Sequence, residues 1–153
     1  MTPLSPPFVP ANPGFETRVR ASFARQGAMR LLGARIAALR PGFCAIELPF
    51  RSDLTQQHGY FHAGIVSTIA DSAGGYAGFT LFPDDASVLT VEYKMNLLAP
   101  AAGERLLAEA HVVKPGRTLA ITRGEVYGET GGKRTLCAIM QQTLIVLAGK
   151  ADG

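Results

Sequence analysis

Asp71 is the one acidic residue in the run Ile65-Val66-Ser67-Thr68-Ile69-Ala70-Asp71-Ser72-Ala73-Gly74-Gly75-Tyr76, whose other members are apolar, small or hydroxylated. A carboxylate set in an apolar helix is costly unless it has a partner or a task. Directly upstream, Gln56-Gln57-His58-Gly59-Tyr60-Phe61-His62-Ala63-Gly64 gathers polar side chains and glycines ahead of a helix start, where the first backbone amides have no intrahelical acceptor. A carboxylate suits general-base or nucleophilic chemistry, and free amides suit a negative charge that develops on a carbonyl oxygen. His58 and His62 are spaced like metal ligands, but Gly59 lies between them and no third ligand is nearby, so no metal site is expected.

Asn12 and Pro13 form a cap and first-turn pair for a helix over about residues 14–31, with Phe15, Val19 and Phe23 along one stripe. Residues 35–39 and 44–50 read as strands joined by the turn Arg40-Pro41-Gly42, and a loop over 51–61 leads to a central helix from Ala63 or Gly64 to about Phe79. Residues 87–98, 104–114, 117–128 and 133–147 are rich in β-branched residues and predict four strands connected as hairpins. Gly74, Gly75 and Gly78 let the central helix lie close against a curved antiparallel sheet.

With 153 residues, 47% hydrophobic and 18% charged, the chain suits one globular domain. The segment 1–13, with four prolines in its first ten residues and no basic start, reads as an extended Pro-rich tail and not as a secretory signal, which leaves 14–149 for the domain. No apolar run has membrane-spanning length. Cys44 and Cys137 are far apart in sequence and are expected as buried, reduced thiols, which points to the cytoplasm. The net charge of +3 is mild and its cations are scattered, a pattern that excludes a nucleic-acid track but leaves cations for a smaller anion.

His62-Ala63-Gly64 with Asp71 nine residues on, then Val91-Glu92-Tyr93-Lys94-Met95-Asn96-Leu97-Leu98-Ala99-Pro100 and Lys114-Pro115-Gly116-Arg117-Thr118-Leu119-Ala120, resemble the PaaI-like acyl-CoA thioesterases of the hotdog fold. The likeness spans roughly residues 33–147. It implies an α+β fold in which a curved antiparallel sheet wraps a central helix, here with an extra N-terminal helix. It also implies hydrolysis of an acyl-CoA thioester by a homodimer, with dimers able to pair again into a homotetramer, and no cofactor.

The resemblance assigns Asp71 as general base or nucleophile and places the oxyanion donor at the amide of Ala63 or Gly64, beside His62. Gln56 falls where the family often carries Asn, and Ala63 replaces a common Gly. Thr90 matches a position whose hydroxyl orients the attacking water. Paired subunits of this family lay their central helices side by side, so each site takes its carboxylate from one chain and its helix-start loop from the other. A nine-residue separation at about 100° per residue agrees, because it sets Asp71 opposite residue 62. Lys94, Lys114, Arg117 and Arg123 are the cations placed to meet the phosphates of coenzyme A. Tyr76, Phe79 and Phe82 are expected as core or as the wall of an acyl pocket, and His111 as a structural residue in a strand. Two other functions use the same frame: a hydratase or dehydratase acting on an acyl thioester, with His62 and Asp71 as a proton-transfer pair, and a non-catalytic acyl-CoA-binding protein.

Overall fold

In the computed structural model the described residues are 8–153; most of the Pro-rich tail, residues 1–7, lies outside them. The helical N-terminal region is two segments, α1 (Phe15–Arg25) and α2 (Gly27–Leu32), where the sequence predicts one. The break is at Gln26, whose extended backbone turns its amide to Phe23 O and sends its side chain toward the central helix. Strands β1 (Arg35–Arg40) and β2 (Phe43–Pro49) follow, then a short 3-10 turn, the central helix α3 (Ala63–Phe79), and β3 (Ser87–Leu97), β4 (Arg105–Lys114), β5 (Leu119–Thr130) and β6 (Lys133–Leu147).

All six strands pair antiparallel in the order β1-β2-β4-β5-β6-β3. The expected hairpin connection of all four of the later strands is corrected here. β4, β5 and β6 are hairpin-connected, but β3 lies at the far edge beside β6, and β2 takes the place next to β4. The segment 98–104 therefore crosses the end of the sheet instead of turning tightly: Leu98 N–H bonds to Cys137 O, and Ala101 O receives Phe61 N–H from the loop before α3. That crossing ties the helix-start loop to the sheet.

The sheet wraps α3. Val66, Ile69, Ala70, Ala73 and Ala77 are buried against the inner strand residues Ile46, Ala108, Ala110, Met140 and Leu144. Small residues on α3 set the spacing: a Cβ on Gly78 would come within 2.4 Å of Leu144 Cδ1, and one on Gly74 within 1.9 Å of Gln142 Oε1. α1 packs across the helix by burying Val19 and by laying Arg18 4.0 Å over the Phe79 ring while its guanidinium donates to Phe82 O and Ala86 O. Cys44 and Cys137 are both buried and free, and burial pushes the Cys44 thiol up to about 12. No helix among the described residues is long and apolar enough to cross a membrane.

Candidate active site

Gly64, Ser67, Thr68, Asp71 and Gly75 recur at three- and four-residue spacing and form the one stripe of α3 that the sheet leaves partly open. Asp71 is half-buried on that stripe. Its Oδ1 accepts from Thr90 Oγ1 at 2.7 Å and from Gln142 Nε2 at 2.6 Å. Gln142 Nε2 also lies 3.1 Å from the Asp71 carbonyl and 2.9 Å from Thr90 Oγ1, so three elements close on one carboxylate oxygen. Thr122 Oγ1 donates to Gln142 Oε1 at 2.8 Å, which fixes the amide with its N–H side toward Asp71. Oδ2 accepts no hydrogen bond among the described residues.

The strand pleat explains this convergence. Gln142 and Thr122 are directly opposed on β6 and β5 and face α3, both essentially inaccessible to solvent. Thr90 pairs with buried Leu144, so it too faces inward, and the register of β3 shifts immediately afterwards, between Thr90 and Glu92. A cavity of about 520 Å³ opens on the carboxylate, walled by Val88 and Thr90 of β3, Gly75 and Tyr76 of α3, Ser22 of α1, and Gln26 at the break between α1 and α2.

The helix start is built differently. His62 is the N-cap of α3, and its Nδ1 accepts from Gly64 N–H at 2.8 Å. That contact puts the proton of a neutral ring on Nε2. Of the two expected oxyanion donors, the Gly64 amide is engaged by that contact, whereas Ala63 N–H has no partner among the described residues and Ala63 is exposed. Gln56 turns its loop through the backbone, donating its N–H to Tyr60 O and accepting Gly59 N–H at its own carbonyl, while its side-chain oxygen receives His58 N–H. A second cavity, of about 510 Å³, is lined by Gln56, Tyr60, His62, Ala63, Leu97 and Pro100.

Thr90 and Asp71 thus come together, Gln56, His62 and Ala63 share the other cavity, and the two groups line separate cavities within one chain. The expected cations lie elsewhere again. Lys94 and Arg123 flank Gln141 in one cross-strand row on the outer face of the sheet, and Lys114 pairs with Ile121 in the next row. Arg117 stands in the turn before β5, beside a small apolar pocket of about 90 Å³ that includes Gly78 and Phe82. Lys94 Nζ donates to Asn96 Oδ1 at 3.1 Å, and Arg123 is 3.8 Å from Glu125. His111 is a half-buried strand residue between Phe43 and Arg123. No group of three or more His, Cys, Asp or Glu among the described residues converges as metal ligands do.

Gln142 is the site residue that sequence reasoning missed. Its signal is faint: a glutamine at an inward position of a strand otherwise lined by Met140 and Leu144. A buried amide of that kind needs a partner, and Asp71 is the acceptor the fold offers.

The Thioesterase superfamily profile matches residues 58–135. The chain is similar to a solved thioesterase family protein from Silicibacter pomeroyi, with 51% identity, 89% of this chain and 100% of that one covered, and a TM-score of 0.87. It also resembles human acyl-coenzyme A thioesterase 13, with 28% identity over 106 residues, covering 68% of this chain and 75% of the relative. The E. coli PaaI protein of the phenylacetic acid degradation operon shares the fold, with a TM-score of 0.79 at 19% identity over 90% of this chain and 96% of that one. Across the curated relatives it matches, the chain spans 62% to 75% of their length. The matched span contains the helix start, all of α3 and Thr90, and this chain, with its hotdog fold, belongs to the thioesterase superfamily of thioester hydrolases.

Proposed function

We propose that the chain hydrolyses acyl-coenzyme A thioesters in a site shared between two copies, with Asp71 and Thr90 from one and the loop from Gln56 to Ala63 from the other. The observation that carries this reading is a distance along a helix. Ala63 and Asp71 are eight residues apart on α3, about 12 Å of helical rise. A carbonyl oxygen within hydrogen-bond reach of the Ala63 amide leaves its carbon too far from the Asp71 carboxylate of the same chain for one water to bridge them. A second copy brings its own helix start to the open stripe beside Asp71.

The edge of the sheet supports the pairing. β3 has no neighbour on its outer side among the described residues, and Leu89, Val91, Tyr93 and Leu97 are exposed along it, an arrangement that invites another strand. Two copies joined there make the proposed homodimer, and its outer sheet face is available for a further pairing into a tetramer.

Asp71 Oδ2 takes a proton from water as the oxygen attacks the thioester carbon. The Ala63 amide, at the positive end of α3, holds the charge that develops on the carbonyl oxygen. The carbon–sulfur bond then breaks, and the thiolate of coenzyme A leaves and takes up a proton. Direct attack by Asp71 gives an acyl anhydride that water opens in a second step, and heavy-oxygen water distinguishes the two, because only the anhydride route labels the Asp71 peptide. The similarity to human acyl-coenzyme A thioesterase 13 supports coenzyme A as the carrier. The imidazole of His62 is committed to capping α3, an observation that favours hydrolysis over proton transfer at carbon by a hydratase.

Release of free thiol from a panel of acyl-coenzyme A substrates tests the activity, and its absence with every substrate overturns it. Mixing Asp71→Ala with Gln56→Ala chains tests the sharing: exchanged heterodimers carry one intact site and are expected to recover part of the activity that neither parent shows. Heterodimers without activity would remove the shared-site reading while leaving hydrolysis itself untouched.

A further inference from the structure

The wall of the Asp71 cavity where the end of α1 meets α3 is polar and hydrogen-bonded, with Ser22, Ser72 and Tyr76 buried, Gln26 half-buried, and the exposed Arg25 paired with Asp152 beside them. Tyr76 Oη, on a residue 3% exposed, lies 3.1 Å from Ser22 Oγ and receives Gln26 Nε2 at 3.0 Å. Ser72 Oγ donates to Gln26 Oε1 at 3.3 Å. Burial pushes the Tyr76 phenol up, so the ring keeps its proton and remains a donor. The four side chains hold five donor hydrogens: two on Gln26 and one on each hydroxyl. Three are used inside the cluster, by Gln26 to Tyr76, by Ser72 to Gln26, and by one partner of the Ser22–Tyr76 pair. One Gln26 N–H and one hydroxyl remain for whatever fills the cavity.

The floor between this cluster and Asp71 is Gly75, one helical turn beyond the carboxylate, and a Cβ built there meets nothing within 4 Å. Gly74, its neighbour, has no such freedom. An occupant reaching from Asp71 to the cluster therefore passes over Gly75 and ends on unused donors about one turn, roughly 5 Å, away.

We propose that this cavity receives the acyl group, and that Gln26 and Ser22 select short acyl groups carrying an acceptor oxygen about four carbons beyond the thioester carbonyl. The inference rests on the thioesterase reading and names the substrate class of that same site. The selecting residues, Ser22 on α1 and Gln26 at its C-terminal end, lie outside the span 58–135 that the superfamily profile matches. An unsubstituted alkyl chain laid on this wall leaves both donors, one of them on half-buried Gln26, without a partner.

Hexanoyl-coenzyme A and 5-oxohexanoyl-coenzyme A differ only in that oxygen. The wild-type chain is expected to favour the oxo substrate in kcat/KM by roughly threefold to tenfold, the size of one neutral hydrogen bond. Gln26→Leu is expected to abolish the preference, and Ser22→Ala, a smaller change, to reduce it. Gly75→Ala narrows the path, and is expected to lower kcat/KM for both six-carbon substrates several-fold more than for acetyl-coenzyme A. Equal rates for the two substrates in the wild type, or a preference that survives Gln26→Leu and Ser22→Ala, overturns the proposal. An equal loss on acetyl-coenzyme A in Gly75→Ala moves the acyl group out of this cavity. Each of these outcomes is read from a chain that hydrolyses thioesters, whereas failure of the thioesterase reading appears as no thiol release from any substrate.

Discussion

The carboxylate half and the loop half of the site are held by opposite means. Asp71 is set by residues 19 and 71 positions away in sequence, Thr90 and Gln142, and Gln142 in turn by Thr122. His62 and Gln56 are set by amides two positions away. The first half is a product of the sheet closing around α3, whereas the side chains of the second are set locally, in a loop whose backbone is anchored by Phe61 N–H to Ala101 O. A catalytic carboxylate must be held in one orientation in a partly buried place, and only packed elements can do that. An oxyanion donor is a backbone amide, and a local cap suffices to present it.

The comparison is broken most severely at Asp71. Asp71→Asn keeps the shape and removes the proposed base or nucleophile, and thiol release is expected to fall by about 100-fold or more while the folded chain is retained. Gly74→Ala strikes the same half through packing. Its methyl meets Gln142 Oε1 and Thr122 Oγ1, so thermal denaturation is expected to show a loss of about 1–3 kcal/mol, with turnover lowered as the amide is driven off Asp71. Gly75→Ala, one residue on, is expected to leave the melting temperature within about 2 °C of the parent, and comparing the two melting curves checks this.

A smaller effect is expected from the loop half. His62→Ala removes the cap from α3 and is expected to cost about 1 kcal/mol, while turnover drops less than for any change at Asp71. A turnover loss as large as that of Asp71→Asn would show that the imidazole takes part in the chemistry. The smallest effect lies outside both halves. Lys114→Ala or Arg117→Ala is expected to raise KM for acyl-coenzyme A a few-fold with turnover unchanged, an effect that weakens as salt is added. A short thioester lacking the nucleotide is expected to be insensitive to both changes, and equal sensitivity would assign the turn a structural role.

The difference between the halves is also the difference between what can be read from a chain and what cannot. The central helix is legible to within a residue, because its apolar run and its small residues are local signals. The strand β6 is legible for the same reason, a long β-branched segment bounded by Gly131-Gly132 and Gly149. The break at Gln26 is not, since the stripe of Phe15, Val19 and Phe23 continues naturally into Met29 and Leu32; the helix is interrupted to let one amide reach Tyr76 and Ser72. The hairpin expected between β3 and β4 fails because a turn signal marks where a strand ends and carries no information about which strand it then lies beside.

By itself the sequence determined the elements, the candidate carboxylate at Asp71, the helix start at His62 and the likeness to a family, each of which depends on residue types at short range. Tertiary structure alone decided that Gln142, set by Thr122, closes on Asp71, that the Gly64 amide is occupied and the Ala63 amide is left, and that Ser22 and Gln26 line the cavity with unused donors. Those facts depend on strand order and register, and pairings between residues twenty to seventy positions apart are chosen by how the whole sheet packs on one helix, a choice that no local stretch of sequence makes.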